Sequence, residues 1–139
     1  MKIREITLND IDDYTILAKQ LGYEIDEKHL INCINDENDA EAVFVADNET
    51  KIIGWVDCRI SHSYLNKAYC EIVGLIVDEN ERNKGIGKSL IDRVVIWAKT
   101  MGLGRIIVHS NVKRKRAHSF YLKNGWDFIK KSMLFGKDI

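Results

Sequence analysis

Residues 71–87, EIVGLIVDENERNKGIG, constrain this chain more than any other stretch. The EIVGLIV segment is apolar on nearly every residue, as a central strand covered on both faces must be. Asp78-Glu79-Asn80-Glu81 is turn chemistry. Arg82-Asn83-Lys84-Gly85-Ile86-Gly87 then opens into a helix whose stripe is Leu90, Ile91, Val94, Trp97, Ala98 and Met101. A buried strand that enters a helix through a tight glycine turn is a βα unit, which needs a sheet to pack on. The turn also has chemical meaning. The first N–H groups of a helix lack intrahelical partners and lie at the positive end of its dipole, so such a loop suits a phosphate. Gly85 and Gly87 allow close backbone approach, and Arg82, Lys84 and Lys88 add positive charge.

A lone GxG is equally well a tight strand-to-helix turn with no ligand. The loop is not a nucleotide P-loop, because no Gly-Lys-Ser/Thr ending is present and Lys84 precedes Gly85. It does not extend to GxGxxG, and it sits late in the chain, which weighs against a dinucleotide fold. Its meaning depends on the other elements.

Before it, residues 2–7 alternate and predict a first strand. Asn9 or Asp10 can cap a helix bearing Ile11, Tyr14, Leu17, Ala18 and Leu21, with Gly22 placed to end it. Asp26 can cap a shorter helix bearing Leu30, Cys33 and Ile34. Residues 42–46 and 51–60 predict a hairpin around Asp47-Asn48-Glu49-Thr50. In its second strand, alternation puts Ile52, Gly54, Val56, Cys58 and Ile60 on one face and Ile53, Trp55, Asp57 and Arg59 on the other. Residues 68–77 form the central strand. After the glycine loop and its helix, Arg105-Ile106-Ile107-Val108-His109 predicts another buried strand and residues 115–124 a helix ended by Gly125. Residues 126–128 and 132–135 predict closing strands. The expected architecture is α/β: a mixed, mostly antiparallel sheet with helices on both faces, in one domain over residues 1–139.

Composition narrows the function. Apolar residues make up 45% of the 139, enough for a real core. Lys and Arg balance Asp and Glu, so the basic footprint of a nucleic-acid binder is missing, and no apolar run is long enough for a membrane span. The N-terminus does not read as a signal peptide. Three widely spaced cysteines, Cys33, Cys58 and Cys70, suggest reduced thiols in a cytoplasmic protein rather than a disulfide framework or a zinc site.

IVDENERNKGIGKSLI resembles motif A of the GNAT superfamily of acyl-CoA-dependent N-acetyltransferases, in which Arg or Gln is followed by two residues, Gly, one residue, and Gly or Ala. Arg82, Gly85 and Gly87 match it. Asn111, followed by Ala117-His118-Ser119-Phe120-Tyr121-Leu122-Lys123-Asn124-Gly125-Trp126, resembles the family's second signature, with Trp126 where Phe or Tyr is usual. The element order also fits, so the resemblance spans essentially the whole chain. Within the family, residues 110–122 and the tail with Phe135-Gly136-Lys137 look like the aminoalkylphosphonate N-acetyltransferase type.

The resemblance implies acetyl-CoA as acyl donor and a primary amine of a small molecule as acceptor. It implies no metal, and a homodimer is compatible with it. The pantetheine arm would pair with the backbone of Leu75, Ile76 and Val77. Arg82, Asn83, Lys84, Gly85, Ile86 and Gly87 would hold the pyrophosphate, with Lys88 and Ser89 in the first helical turn. Asn111 would bond the pantetheine or a site water, and His118 would approach the cofactor. Tyr121 corresponds to the general acid that protonates the departing thiolate. Glu71 is the candidate general base, because a carboxylate in an apolar strand, on the face shared with Val73, Leu75 and Val77, needs a partner or a task.

Each residue has a plainer reading. Leu75 to Val77 are core, Asn111 is a strand-end turn residue, His118 is on the surface, Tyr121 packs beside Phe120, and Glu71 pairs with Arg59. At the level of the whole chain the alternatives are a protein lysine or N-terminal acetyltransferase and a non-catalytic acyl-CoA sensor.

Overall fold

The computed structural model describes residues 1–139. The chain forms two compact units, Met1–Val108 and His109–Ile139. The first holds one five-stranded sheet in the order β1-β2-β3-β4-β5. Its strands are β1 (Lys2–Glu5), β2 (Glu41–Asp47), β3 (Ile52–Ser61), β4 (Tyr69–Val77) and β5 (Ile106–Val108). The first three pairings are antiparallel and β4 with β5 is parallel, as the βα unit required. Helices α1 (Ile11–Gln20), α2 (Glu27–Asn35) and α3 (Ile86–Thr100) complete the unit.

Side-chain direction places the helices on opposite faces. Tyr14, Leu17 and Ala18 of α1 and Leu30 of α2 pack with Val45, Ile52, Trp55 and Ile76 of the sheet. The Tyr14 and Trp55 rings stack at 4.2 Å between centroids, and the Trp55 indole N–H donates to the Tyr14 carbonyl at 3.3 Å. On the other face, α3 buries Ile86, Leu90 and Val94, and the Arg93 guanidinium lies 4.2 Å from the centre of the Phe44 ring. The Asp26 carboxylate accepts from the His29 N–H at 3.1 Å and so caps α2 as the sequence suggested. Asp10 does something different. Its carboxylate turns back to receive the Thr7 N–H at 2.8 Å and both terminal nitrogens of Arg4, tying β1 to the start of α1.

Strict alternation fails at two points, each a β-bulge. Ala46 pairs with Gly54 and Asp47 with Ile52, so Ile53 is the extra residue in β3. Ile52 therefore shares the Trp55 face rather than the Gly54 face. Asp57 pairs with Gly74 and Cys58 with Ile72, so Val73 is the extra residue in β4. Glu71 consequently shares its face with Gly74 and Ile76, not with Leu75 and Val77 as uninterrupted alternation implied.

The second unit contains α4 (Lys115–Lys123). Gly125, at φ 86°, ends it, and the Trp126 N–H donates to the Tyr121 carbonyl at 3.0 Å. The closing strands expected at residues 126–128 and 132–135 do not form. The Trp126 N–H is used to close the helix, and Phe128, Met133, Leu134 and Phe135 stand exposed without a ladder partner. Apolar alternation alone does not make a strand when no neighbouring edge takes its hydrogen bonds. No helix is long and apolar enough to cross a membrane.

Gly54 sets how closely α3 lies on the sheet. A Cβ there would stand 2.9 Å from the Ile76 carbonyl oxygen, 3.3 Å from Leu90 and 3.4 Å from Ile86. Gly54→Ala should lower unfolding stability by roughly 1–3 kcal/mol in chemical denaturation, the usual cost of overpacking a tight contact. Gly104→Ala, where nothing lies within 4 Å, should stay within about 0.5 kcal/mol of the parent. Equal effects at both positions would contradict this account of the α3 contact.

Candidate active site

The glycine loop is held from below. The Asp78 N–H donates to the Ile53 carbonyl at 2.9 Å as β4 ends. The Asp78 carboxylate, almost fully buried, accepts from the Asn80 N–H at 3.1 Å and the Gln20 side-chain amide at 3.4 Å, and lies 3.6 Å from the Lys51 ammonium. These contacts, led by the Asn80 N–H, hold its pKa below the ordinary aspartate value. The Gln20 side-chain oxygen accepts from the Glu79 N–H at 3.1 Å, fixing the same turn to α1. Asp78 and Gln20 thus position the loop. In the sequence, Asp78 read only as part of an acidic turn, and Gln20 had no local signal because its partners lie far along the chain.

Above this support the backbone makes two left-handed residues, Asn83 at φ 65° and Gly85 at φ 80°. The first helical bond of α3 is from the Ser89 N–H to the Gly85 carbonyl at 3.0 Å. No side chain caps α3, and the N–H groups of residues 85–88 donate to nothing within the chain. That is an anion-binding arrangement made of backbone donors and the helix dipole. The nearby side chains are less free than their charges suggested. Lys84 pairs with Glu81 at 2.7 Å, Lys88 with Asp92 at 3.0 Å, and the Ser89 hydroxyl donates to the Gly85 carbonyl at 3.1 Å. Both lysine pairs are exposed and weak enough to exchange for another anion.

A second feature lies in the same unit. The β4–β5 ladder joins Cys70 to Ile106, Glu71 to Ile107 and Ile72 to Val108, and stops there. The next residue of β4 is the bulged Val73. Residues 74–77, which include Leu75, Ile76 and Val77, pair with β3 on one side, and from Val73 onward no strand pairs with β4 on the other. An open run of backbone donors and acceptors therefore leads along β4 towards the uncapped N-terminus of α3.

Glu71 accepts from the Arg59 guanidinium at 2.9 Å, and its carboxylate is mostly buried. The register places Arg59 between Glu41 of β2 and Glu71 of β4. Asp57 sits two residues earlier on the same face and was not singled out in the sequence as a site residue. Burial, and secondarily Glu41, push its pKa up to about 6, with Arg59 opposing. Cys70 is fully buried and lies on the opposite face from Glu71.

In the second unit, the Asn111 side-chain oxygen accepts from the Lys113 N–H at 2.9 Å and its carbonyl accepts from the Arg114 N–H at 3.0 Å, so Asn111 shapes the turn into α4. His118 Nε2 lies 2.9 Å from the Asn111 carbonyl oxygen. Tyr121 makes edge-to-face contacts with Phe120 at 5.4 Å and Trp126 at 5.2 Å. Burial raises its pKa to about 12, with Arg114 opposing, so it remains a neutral phenol at neutral pH. The buried Ser110 hydroxyl, beside Asn111, has no hydrogen-bond partner.

The fold and these features are those of an acyltransferase family. Residues 8–126 match the acetyltransferase (GNAT) family, and the chain belongs to it. Among relatives, it is 26% identical over 140 residues to an uncharacterized N-acetyltransferase of Methanocaldococcus jannaschii, covering 90% of this chain and 60% of that protein. It is 29% identical over 105 residues to an aminoglycoside N(6')-acetyltransferase type 1 of Stenotrophomonas maltophilia, covering 70% of this chain and 67% of that protein. The aminoglycoside acetyltransferase AAC(6')-Iy, solved with a bisubstrate analogue of CoA and acetylneamine, superposes with a TM-score of 0.86 at 22% identity, over 99% of this chain and 98% of the other. The relative from M. jannaschii is thus matched over about three-fifths of its length.

The raised Asp57 pKa has a consequence for stability. The folded-state value, about 6, lies above the ordinary value of 3.8, so folding disfavours the carboxylate. The cost is small near pH 4, grows as pH rises and is complete above about pH 7. Asp57→Asn should therefore raise unfolding stability at pH 8 by about 3 kcal/mol and change it by only about 0.5 kcal/mol at pH 4. Urea denaturation at the two pH values checks this, and a destabilised variant at pH 8 would contradict it.

Proposed function

We propose that the chain is a single N-acetyltransferase domain that transfers the acetyl group of acetyl-CoA directly to a primary amine of a small molecule. One observation carries the reading: the uncapped N-terminus of α3 follows directly on a β4 strand whose outer edge is open from Val73 onward. A pyrophosphate suits the N–H groups of residues 85–88, supplemented by Arg82 and, after exchange of their carboxylate partners, Lys84 and Lys88. A chain of amides suits the open backbone of Leu75, Ile76 and Val77. Binding remote from the reacting carbon holds the thioester for attack, which is where positioning gains rate. The aminoglycoside acetyltransferase relative supports a small amine as acceptor.

The reaction requires a neutral amine. An ammonium loses one proton, the nitrogen lone pair adds to the thioester carbonyl, the C–S bond breaks, and the nitrogen loses a second proton as the amide forms. The thiolate takes up one proton, so the net release is one. Glu71 is the proposed base for the nitrogen protons, with Arg59 fixing its carboxylate. Tyr121 is the proposed acid. Sulfur still bonded to carbon is far less basic than a free thiolate, so a phenol of pKa about 12 cannot protonate it fully before C–S cleavage. Even the free thiolate of an ordinary thiol, with a pKa of about 8.5, is a weaker base than the phenoxide left behind. Its proton is therefore shared with the sulfur as the C–S bond breaks and negative charge develops there, and a proton from solvent restores the phenol. In the same proposal, the Asn111 side-chain nitrogen and the unpartnered Ser110 hydroxyl bond the pantetheine arm, and His118 braces the Asn111 turn through its carbonyl.

Thiol release from acetyl-CoA in the presence of a panel of primary amines tests this reading. Tyr121→Phe should lower kcat by on the order of 10²-fold with an unchanged KM for acetyl-CoA. Glu71→Gln should lower it comparably at pH 7, with recovery towards pH 9.5 as the amine itself becomes neutral. Full turnover by Tyr121→Phe, with an amine slow enough for chemistry to limit, would remove Tyr121 from the mechanism. Failure of CoA to raise the melting temperature would remove the donor assignment.

A further inference from the structure

The mostly buried carboxylates of this chain have partners, with one exception. Asp10 is held by Arg4 and Thr7, Asp78 by Asn80, Gln20 and Lys51, and Glu71 by Arg59. Asp57 has neither a hydrogen bond nor an ion pair, although it lies in the middle of β3 in the centre of the sheet. The cause is visible in the register. The residue across from it in β2 is Val43 and the residue across in β4 is Gly74, and neither side chain can donate a hydrogen bond. Arg59, the cation beside it, is engaged by Glu71. The side chain is still reached by solvent, so a ligand can reach it too.

Leaving a carboxylate unpaired in such a position costs stability, and an ordinary structural role does not explain that cost. Its location gives a reason. Gly74 immediately follows the Val73 bulge, where the open edge of β4 begins, and Asp57 shares its face with Glu71. The ionisable groups that face it are Tyr14 of α1, Cys33 of α2, Glu41 of β2, Arg59 of β3 and Glu71 of β4. With Arg59 and Glu71 neutralising each other, the remaining field is negative.

We propose that Asp57 is the acceptor-selecting residue, whose carboxylate receives an ammonium group of a polycationic amine on the α1–α2 face of β3 and β4. This rests on the proposed transferase function and narrows its acceptor class. An amine carrying a phosphonate would meet the same negative face with its arginine already engaged, so the aminophosphonate class is disfavoured. The group that binds an ammonium must be ionised. Asp57 is ionised above about pH 6, so acceptor affinity should rise as pH rises through that value and be lost below it.

Calorimetric titration of neamine and of 2-aminoethylphosphonate into CoA-saturated protein tests the assignment, with wild type, Asp57→Asn and Asp57→Glu compared at pH 7.5 and pH 5. Wild type should bind neamine more tightly than 2-aminoethylphosphonate, and its affinity for neamine should weaken at pH 5. Asp57→Asn should weaken neamine at least tenfold at pH 7.5 and abolish the pH dependence, with CoA affinity unchanged. Asp57→Glu should retain most of the affinity. Equal neamine affinity in wild type and Asp57→Asn overturns the proposal, as does a wild type that binds only the aminophosphonate or neither amine. Misfolding is excluded by the thermal stability of Asp57→Asn, which should match or exceed that of wild type at pH 7.5. If wild type fails to bind CoA, the transferase reading falls, while the neamine titration of the CoA-free protein still decides the role of Asp57.

Discussion

A single inserted residue in β4, Val73, governs the geometry on which the rest depends. Before it, β4 pairs with β3 on one side and β5 on the other, as an interior strand should. At it the ladder to β5 ends, the strand turns over by one residue, and every later side chain changes face. Three consequences follow. The outer backbone of residues 73–77 is left open. Gly74 comes to lie opposite Asp57, leaving that carboxylate without a partner. Glu71 stays in register with Arg59 on the α1–α2 face. A continuous ladder would have satisfied the backbone, made an ordinary core strand, and left nothing for a ligand to pair with.

The glycine loop at the far end of β4 depends on a different set of contacts. Gly54 lets α3 approach the sheet, Asp78 and Gln20 pin the turn, and Gly85 takes the left-handed conformation from which α3 starts uncapped. The side chains supply scaffolding and the backbone supplies the donors. This division explains why Lys84 and Lys88 can be engaged in surface ion pairs without removing the anion site. Their charge adds to a field that the N–H groups already provide.

Much of the fold was legible because its signals are local. The cap at Asp26, the stops at Gly22 and Gly125, the hairpin turn after Asp47 and the stripe on α3 all depend on near neighbours in sequence. The strand-to-helix glycine loop was legible for the same reason, and Arg59 was correctly suspected as a partner of Glu71. The errors share a cause. Bulges at Ile53 and Val73 leave no local mark in an apolar strand, so alternation assigned Ile52 and the Glu71 face wrongly. The expected closing strands failed because alternation reports a face and not a partner. Asp57 escaped notice because its unusual state comes from Val43 and Gly74, residues that only the register brings beside it.

Amide chemical shifts during titration with acetyl-CoA test the central claim most directly: that the bulge-opened edge of β4 and the uncapped start of α3 together receive the donor. The account predicts that the largest changes among residues 1–108 fall on the amides of residues 73–77 and 82–88, while those of β1 and β2 stay in place. Saturable changes that avoid both segments, or no change at millimolar acetyl-CoA, would contradict it.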